Sequence, residues 1–145
     1  WELDLSQIYT ELIREHSSSK VNKREMEDAT VCELGHNPSC GDEISLNLKI
    51  EDGIIEDASY TGIGCAISQA STSMMIDLIK GKSLEEARDL ADTFIGMIKS
   101  EIDDEDELEK LEDAIALQNI SVMPARVKCA VLAWHTLNNI IEKQE

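Results

Sequence analysis

The sequence predicts an α+β fold, a small antiparallel sheet of about three strands packed against several α-helices. Three observations point there. Residues 44–50, ISLNLKI, alternate strictly between apolar and polar side chains, the period of a half-buried strand. EDG at 51–53 is a hairpin signal, and the β-leaning run IIEDASYTGIG follows it. After Gly64 the apolar spacing changes to that of helices, and it stays so to the end of the chain. The 145 residues suit one compact unit spanning 1–145.

Each element has a local reason. Residues 4–15, DLSQIYTELIRE, place Leu5, Ile8, Tyr9, Leu12 and Ile13 on one helical face, with Asp4 as cap and Gln7 three positions on. The polar HSSSKVNKRE breaks the pattern and predicts a loop from His16. ATVCEL, 29–34, is β-leaning and predicts the first strand. The 44–50 and 54–64 runs supply the other two, with one face of the sheet in water. Ile67, Ala70, Met74, Leu78 and Ile79 mark a helix that Gly81 stops. Ser83 and Glu86 form a capping box for a helix carrying Leu84, Ala87, Ala91, Phe94, Ile95 and Ile98 inward. Residues 101–113 hold nine acids and one lysine, yet Leu108, Leu111 and Ile115 keep helical spacing, which predicts a short helix with a solvated acidic face. Pro124 suits the first turn of a last helix, whose face is Val127, Val131, Trp134, Asn138 and Ile141.

Lys plus Arg number 13 against 30 Asp plus Glu, a formal charge of −17. Such a chain is poorly suited to nucleic acid or an anionic membrane, both of which call for a basic surface. No apolar run has the roughly 18 residues of a membrane span. WELDLSQIYT has neither a basic nor an apolar leader region, which predicts no signal peptide and a cytoplasmic chain. In that reducing compartment cysteines serve more often as metal ligands or reactive thiols than as disulfides.

No CxxC pair is present, so the four cysteines are judged by their settings. Cys40 lies between Pro38 and Gly41, on a tight turn. Cys65 follows TGIG and opens a helix, where the dipole favours thiolate. Cys129 lies early in the last helix, with the cations Arg126 and Lys128 beside it. Three thiols at element ends could converge at one end of the sheet, and Asp42 would add an oxygen. Three thiolates and a carboxylate make a tetrahedral set for a borderline metal. A free cysteine also packs readily as a small hydrophobe, so the settings alone leave convergence open. Cys32, in a β-leaning run beside Val31, is expected in the core. His36 is expected beside the metal or in solvent rather than on it, His16 at the end of the first helix, and His135 packed. No Ser/His/Asp set, phosphate loop or dinucleotide fingerprint is present.

Three segments in order, NPSCGD at 37–42, GIGCAISQAS at 62–71 and MPARVKCAVLAW at 123–134, resemble the U-type iron–sulfur cluster assembly proteins, the IscU/NifU N-terminal family. The likeness runs from the first helix to the last. It implies an IscU/NifU-like α+β fold with one metal or cluster site on Cys40, Asp42, Cys65 and Cys129, leaving Cys32 out. Where the scaffold branch has a histidine before its third cysteine, this chain has Lys128. Where that branch has Pro-Pro-Val-Lys, this chain has MPARVK. The stretch 101–123 looks like an insertion. These departures resemble the SufU branch, whose members hold zinc and accept sulfur from the cysteine desulfurase SufS.

That resemblance implies an iron–sulfur cluster assembly protein, a zinc-dependent sulfurtransferase in which Zn²⁺ sits on the four ligands and Cys40, on the most mobile element, takes up persulfide sulfur. The partners implied are a SufS-like cysteine desulfurase and downstream cluster-assembly or apo iron–sulfur proteins. One alternative keeps the ligands and changes the cargo: a scaffold on which a transient [2Fe–2S] cluster forms before transfer to apoproteins. A structural-zinc interaction domain is a third reading.

Overall fold

A computed structural model describes residues 5–37, 41–102, 104–122 and 124–144. It has the α+β architecture the sequence predicts. Helix α1 (Leu5–Ser18) leads into three strands, β1 (Val31–Asn37), β2 (Asp42–Glu51) and β3 (Ile54–Ile63). Then come α2 (Ala66–Ile79), α3 (Leu84–Ile98), the short α4 (Glu105–Glu109), a 3₁₀ segment (Glu112–Val122) and α5 (Pro124–Gln144). The sheet is antiparallel in the order β1-β2-β3.

The hairpin between β2 and β3 turns on Asp52 (φ 54°) and Gly53 (φ 77°). Two successive positive φ values match the right-handed twist of the flanking strands, which is why Asp-Gly marks such turns. Ile44, Leu46 and Leu48 alternate inward and are fully buried. The less tidy pattern of β3 has a cause. The register shifts between Lys49 and Ile50, so that Lys49 faces Asp57 and Ile50 faces Ile55. Glu56 is the extra residue, and it moves Ile55 onto the buried face shared by Ala58 and Tyr60.

Helix α1 runs past the expected boundary to Ser18. The hydroxyls of Ser17 and Ser18 both donate to the Arg14 carbonyl, at 3.0 and 2.9 Å, and so occupy the last turn. Leu12 and Ile13 pack partly buried against the core; the expected cap Asp4 lies outside the described residues. Strand β1 extends to Asn37 because pairing with β2 continues to Asn37↔Asp42, which overrides the low strand propensity of Gly35 and Asn37. Glycine suits position 35, since a Cβ there would press on Thr136 Oγ1 of α5. The Ser83 cap forms as expected, with Glu86 N–H donating to Ser83 Oγ at 3.1 Å. The acidic segment packs by its apolar residues, burying Leu108, Leu111, Ala114, Leu117 and Ile120, while Glu105–Glu107, Glu109, Glu112 and Asp113 stay exposed. No helix among the described residues is long and apolar enough to cross a membrane.

Two expectations fail on the sheet and on α5. Cys32 is exposed, not in the core. It pairs with Asn47, on the face opposite Leu46 and Leu48. A one-residue change of phase moves a strand's whole side-chain set to the other face; here Cys32, Leu34 and His36 face outward. His135 is exposed on α5 instead of packed. The burial it keeps, and then the charge of Lys99, lower its pKa.

Helix α2 is buried almost all round, serines included. Several of its polar groups are matched individually. Trp134 Nε1–H donates to Ser71 Oγ at 2.8 Å, and the Ser71 hydroxyl donates to the Ala130 carbonyl at 2.5 Å, joining α2 to α5. Phe94 of α3 stacks on the Trp134 ring with centroids 4.1 Å apart. Ser73 Oγ accepts from Asn22 Nδ2 at 3.2 Å and lies 3.0 Å from His16 Nδ1. Ser71→Ala leaves the buried indole N–H without its acceptor. The expected loss is about 1–3 kcal/mol, read as a lower urea midpoint at unchanged slope; an unchanged midpoint would show that the relay carries no stability.

Candidate metal centre

Three elements bring the predicted residues together at one end of the sheet. Asp42 is the first residue of β2 and points inward with Ile44 and Leu46, only 1 % exposed. Cys65 caps α2 in extended backbone (φ −70°, ψ 169°), and its Sγ accepts the Ser68 N–H at 3.4 Å. Cys129 lies on the early turns of α5 and is buried. The ligand atoms of Asp42, Cys65 and Cys129 all lie within 4.8 Å of one another. No other such group of His, Cys, Asp and Glu occurs among the described residues.

The group is braced from behind. The Cys65 backbone N–H donates to Asp42 Oδ1 at 3.0 Å, tying the start of β2 to the start of α2. Gln69 Nε2 donates to the Gly64 carbonyl at 2.9 Å, and Lys23 Nζ donates to Gln69 Oε1 at 2.9 Å. Gly41 has φ 72° and donates its N–H to the Asn37 carbonyl at 2.9 Å, drawing the two ends of the β1–β2 connection together. Cys40, the expected fourth ligand and sulfur acceptor, lies outside the described residues, as does Pro38.

Arg126 is the cation over the site. The charge of Cys65, then a hydrogen bond and the charge of Cys129, raise its pKa above the ordinary arginine value. The sequence marked Arg126 as a neighbour of Cys129 but gave no sign that it also faces Cys65. Lys128 is exposed. His36 is exposed on the outer face of β1, opposite Glu43, away from the inward Asp42. His16 lies elsewhere, between Asp77 at 4.0 Å and Asp113 at 3.7 Å.

Two residues that sequence reasoning missed border the ligands. A Cβ on Gly64 would lie 3.0 Å from Asp42 Oδ1 and 3.2 Å from Ser68 Oγ. Ser68 is buried, and its hydroxyl is without a hydrogen-bond partner among the described residues. Two thiols and a buried carboxylate form a mixed sulfur and oxygen donor set, which suits a borderline cation such as Zn²⁺ better than a hard one. A carboxylate so buried also favours a positive charge beside it. The residues therefore fit a metal.

The chain belongs to the family of the NifU-like N terminal domain, whose model matches residues 8–145. It is 44% identical over 136 residues to the iron–sulfur cluster assembly scaffold protein IscU of Thermotoga maritima, covering 94% of each chain. It is 41% identical over 143 residues to the zinc-dependent sulfurtransferase SufU of Bacillus subtilis, covering 98% of this chain and 95% of that one. A crystal structure from Fervidobacterium islandicum, assigned as a scaffold protein for the SUF system, superposes with a TM-score of 0.85 at 36% identity, covering 94% of this chain and 98% of that one. The resemblance read from the three motifs is thereby borne out at the level of family and fold.

Gly64 is not among the glycines with positive φ, so alanine there is not strained by backbone conformation. Its methyl would press on Asp42 and Ser68. Gly64→Ala is expected to fold and to hold Zn²⁺ roughly tenfold more weakly than the wild type, as measured by chelator competition. Unchanged affinity would mean that the contact with Asp42 is irrelevant to metal.

Proposed function

We propose that this chain is an iron–sulfur cluster assembly protein that works as a zinc-bound sulfur acceptor for a cysteine desulfurase. The observation that carries the reading is the convergence of Asp42, Cys65 and Cys129 within 4.8 Å. Cys40 is assigned as the fourth ligand because only two peptide bonds separate it from Asp42, roughly 7 Å of chain at most. The likeness to SufU over nearly the whole chain supports zinc as the metal. When bound, zinc supplies charge that keeps the site's thiols deprotonated, without redox chemistry of its own.

The chain's residues do the rest. Arg126 faces the thiols of Cys65 and Cys129 and offsets negative charge gathered there. The Cys65 N–H holds the Asp42 carboxylate. Cys40 is the nucleophile. Its thiolate attacks the outer sulfur of the desulfurase persulfide. A sulfur–sulfur bond forms at Cys40 while the partner's bond breaks, and the partner's cysteine leaves as thiolate. One sulfur atom and its proton move together, so the exchange balances without an oxidant or reductant. The cytoplasm, where thiols stay reduced, is the compartment this chemistry needs.

A second reading has its own support in the likeness to the Thermotoga IscU. In this second reading the ligands of this chain build a [2Fe–2S] cluster and release it to apoproteins. Elemental analysis of anaerobically purified protein separates the two. About one zinc per chain without acid-labile sulfide is expected; iron with matching sulfide would favour the scaffold.

Cys40→Ala is expected to reduce sulfur acceptance from the desulfurase to background, measured as sulfide released by a thiol reductant after transfer. Full transfer by that variant would overturn the assignment of Cys40.

A further inference from the structure

The first turn of α2 carries one polar atom that its own hydrogen bonds leave unused. Ser68 is 1 % exposed. Its backbone N–H goes to Cys65 Sγ, and its carbonyl accepts the Thr72 hydroxyl at 2.7 Å. Its own hydroxyl is buried and without a partner among the described residues. In a capping box, a side chain at this position accepts the backbone N–H of the cap residue. Here that N–H, on Cys65, is taken by Asp42 Oδ1. The carboxylate has displaced the serine from the usual role. Buried hydroxyls rarely remain so, because the lost hydration is not repaid.

An acceptor borders the same space. Asp42 Oδ1 and Ser68 Oγ lie 3.0 and 3.2 Å from the one point that a Cβ on Gly64 would occupy. Glycine leaves that point open. A carboxylate offers about four lone-pair sites over its two oxygens, enough for a cation, the Cys65 N–H and one more donor. We propose that Ser68 is a positioning residue of the metal site: with a cation on Asp42, Cys65 and Cys129, its O–H donates to the Asp42 carboxylate across the space that Gly64 leaves open. This rests on the metal reading of those three residues. Outer hydrogen bonds of this kind orient a ligand and set its donor strength.

The test compares the full-length wild type with Ser68→Ala, using Zn²⁺ as the probe. Affinity is read by competition with a chromophoric chelator, and thermal unfolding is followed on the metal-free proteins. Ser68→Ala is expected to bind zinc about 10–100-fold more weakly, while its metal-free form melts at the wild-type temperature or above it, since a partnerless buried hydroxyl has been removed. Ser68→Thr keeps the hydroxyl and is expected to bind zinc like the wild type. Equal zinc affinity in wild type and Ser68→Ala overturns the role of Ser68 and leaves the metal reading standing. A lower melting temperature of metal-free Ser68→Ala also overturns it, because the hydroxyl would then serve the fold. Wild type that takes up no zinc overturns the metal reading and this inference with it.

Discussion

The geometry of this protein depends on a buried relay. The Trp134 indole N–H donates to Ser71 Oγ, and the Ser71 hydroxyl donates to the Ala130 carbonyl. Apolar contact between α2 and α5 favours burial without fixing orientation, because the hydrophobic effect has no direction. Hydrogen bonds in a low-dielectric interior do have one, and a fully satisfied pair selects a single arrangement. The relay meets α5 at the residue after Cys129, while Cys65 caps the helix that carries Ser71. The placing of the two thiols relative to each other is thus inherited from the packing behind them. Phe94, stacked on the indole, holds the ring that donates the first bond.

The third ligand enters through the sheet. Asp42 begins β2 and takes the Cys65 N–H, so one hydrogen bond couples the strand end to the helix start. That bond carries two consequences. It satisfies a donor that the helix leaves open, and it brings the carboxylate to the thiol whose Sγ accepts the Ser68 N–H of the same turn. Arg126 then faces both thiols from α5. In a chain of formal charge −17, a cation at this point runs against the overall charge of the chain.

Much of this was legible residue by residue. The alternation of 44–50, the Asp-Gly turn, the Ser83 cap and the Pro124 start each act within a few positions, and each formed as read. Cys32 was not legible, because VCEL has apolar residues on both parities and the phase was decided by pairing with β2. Nor was the bulge at Glu56, which needs both strands to be defined. The buried serines of α2 gave no local signal either. Ser71 meets Ala130 and Trp134, and Ser73 meets His16 and Asn22, all more than 50 positions away.

The sequence by itself determined the kinds of residue the site would use and the element ends on which they sit. A thiol after a glycine at a helix start and a carboxylate in the turn ahead of a strand are local facts, set by caps and turns. Tertiary structure alone decided that Asp42, Cys65 and Cys129 meet, that Arg126 faces both thiols, and that Ser68 and Gly64 border them. Local rules reach about one turn of helix or one hairpin, whereas these residues come from three elements brought together by packing, by the two hydrogen bonds of Ser71 and by the bond from the Cys65 N–H to Asp42.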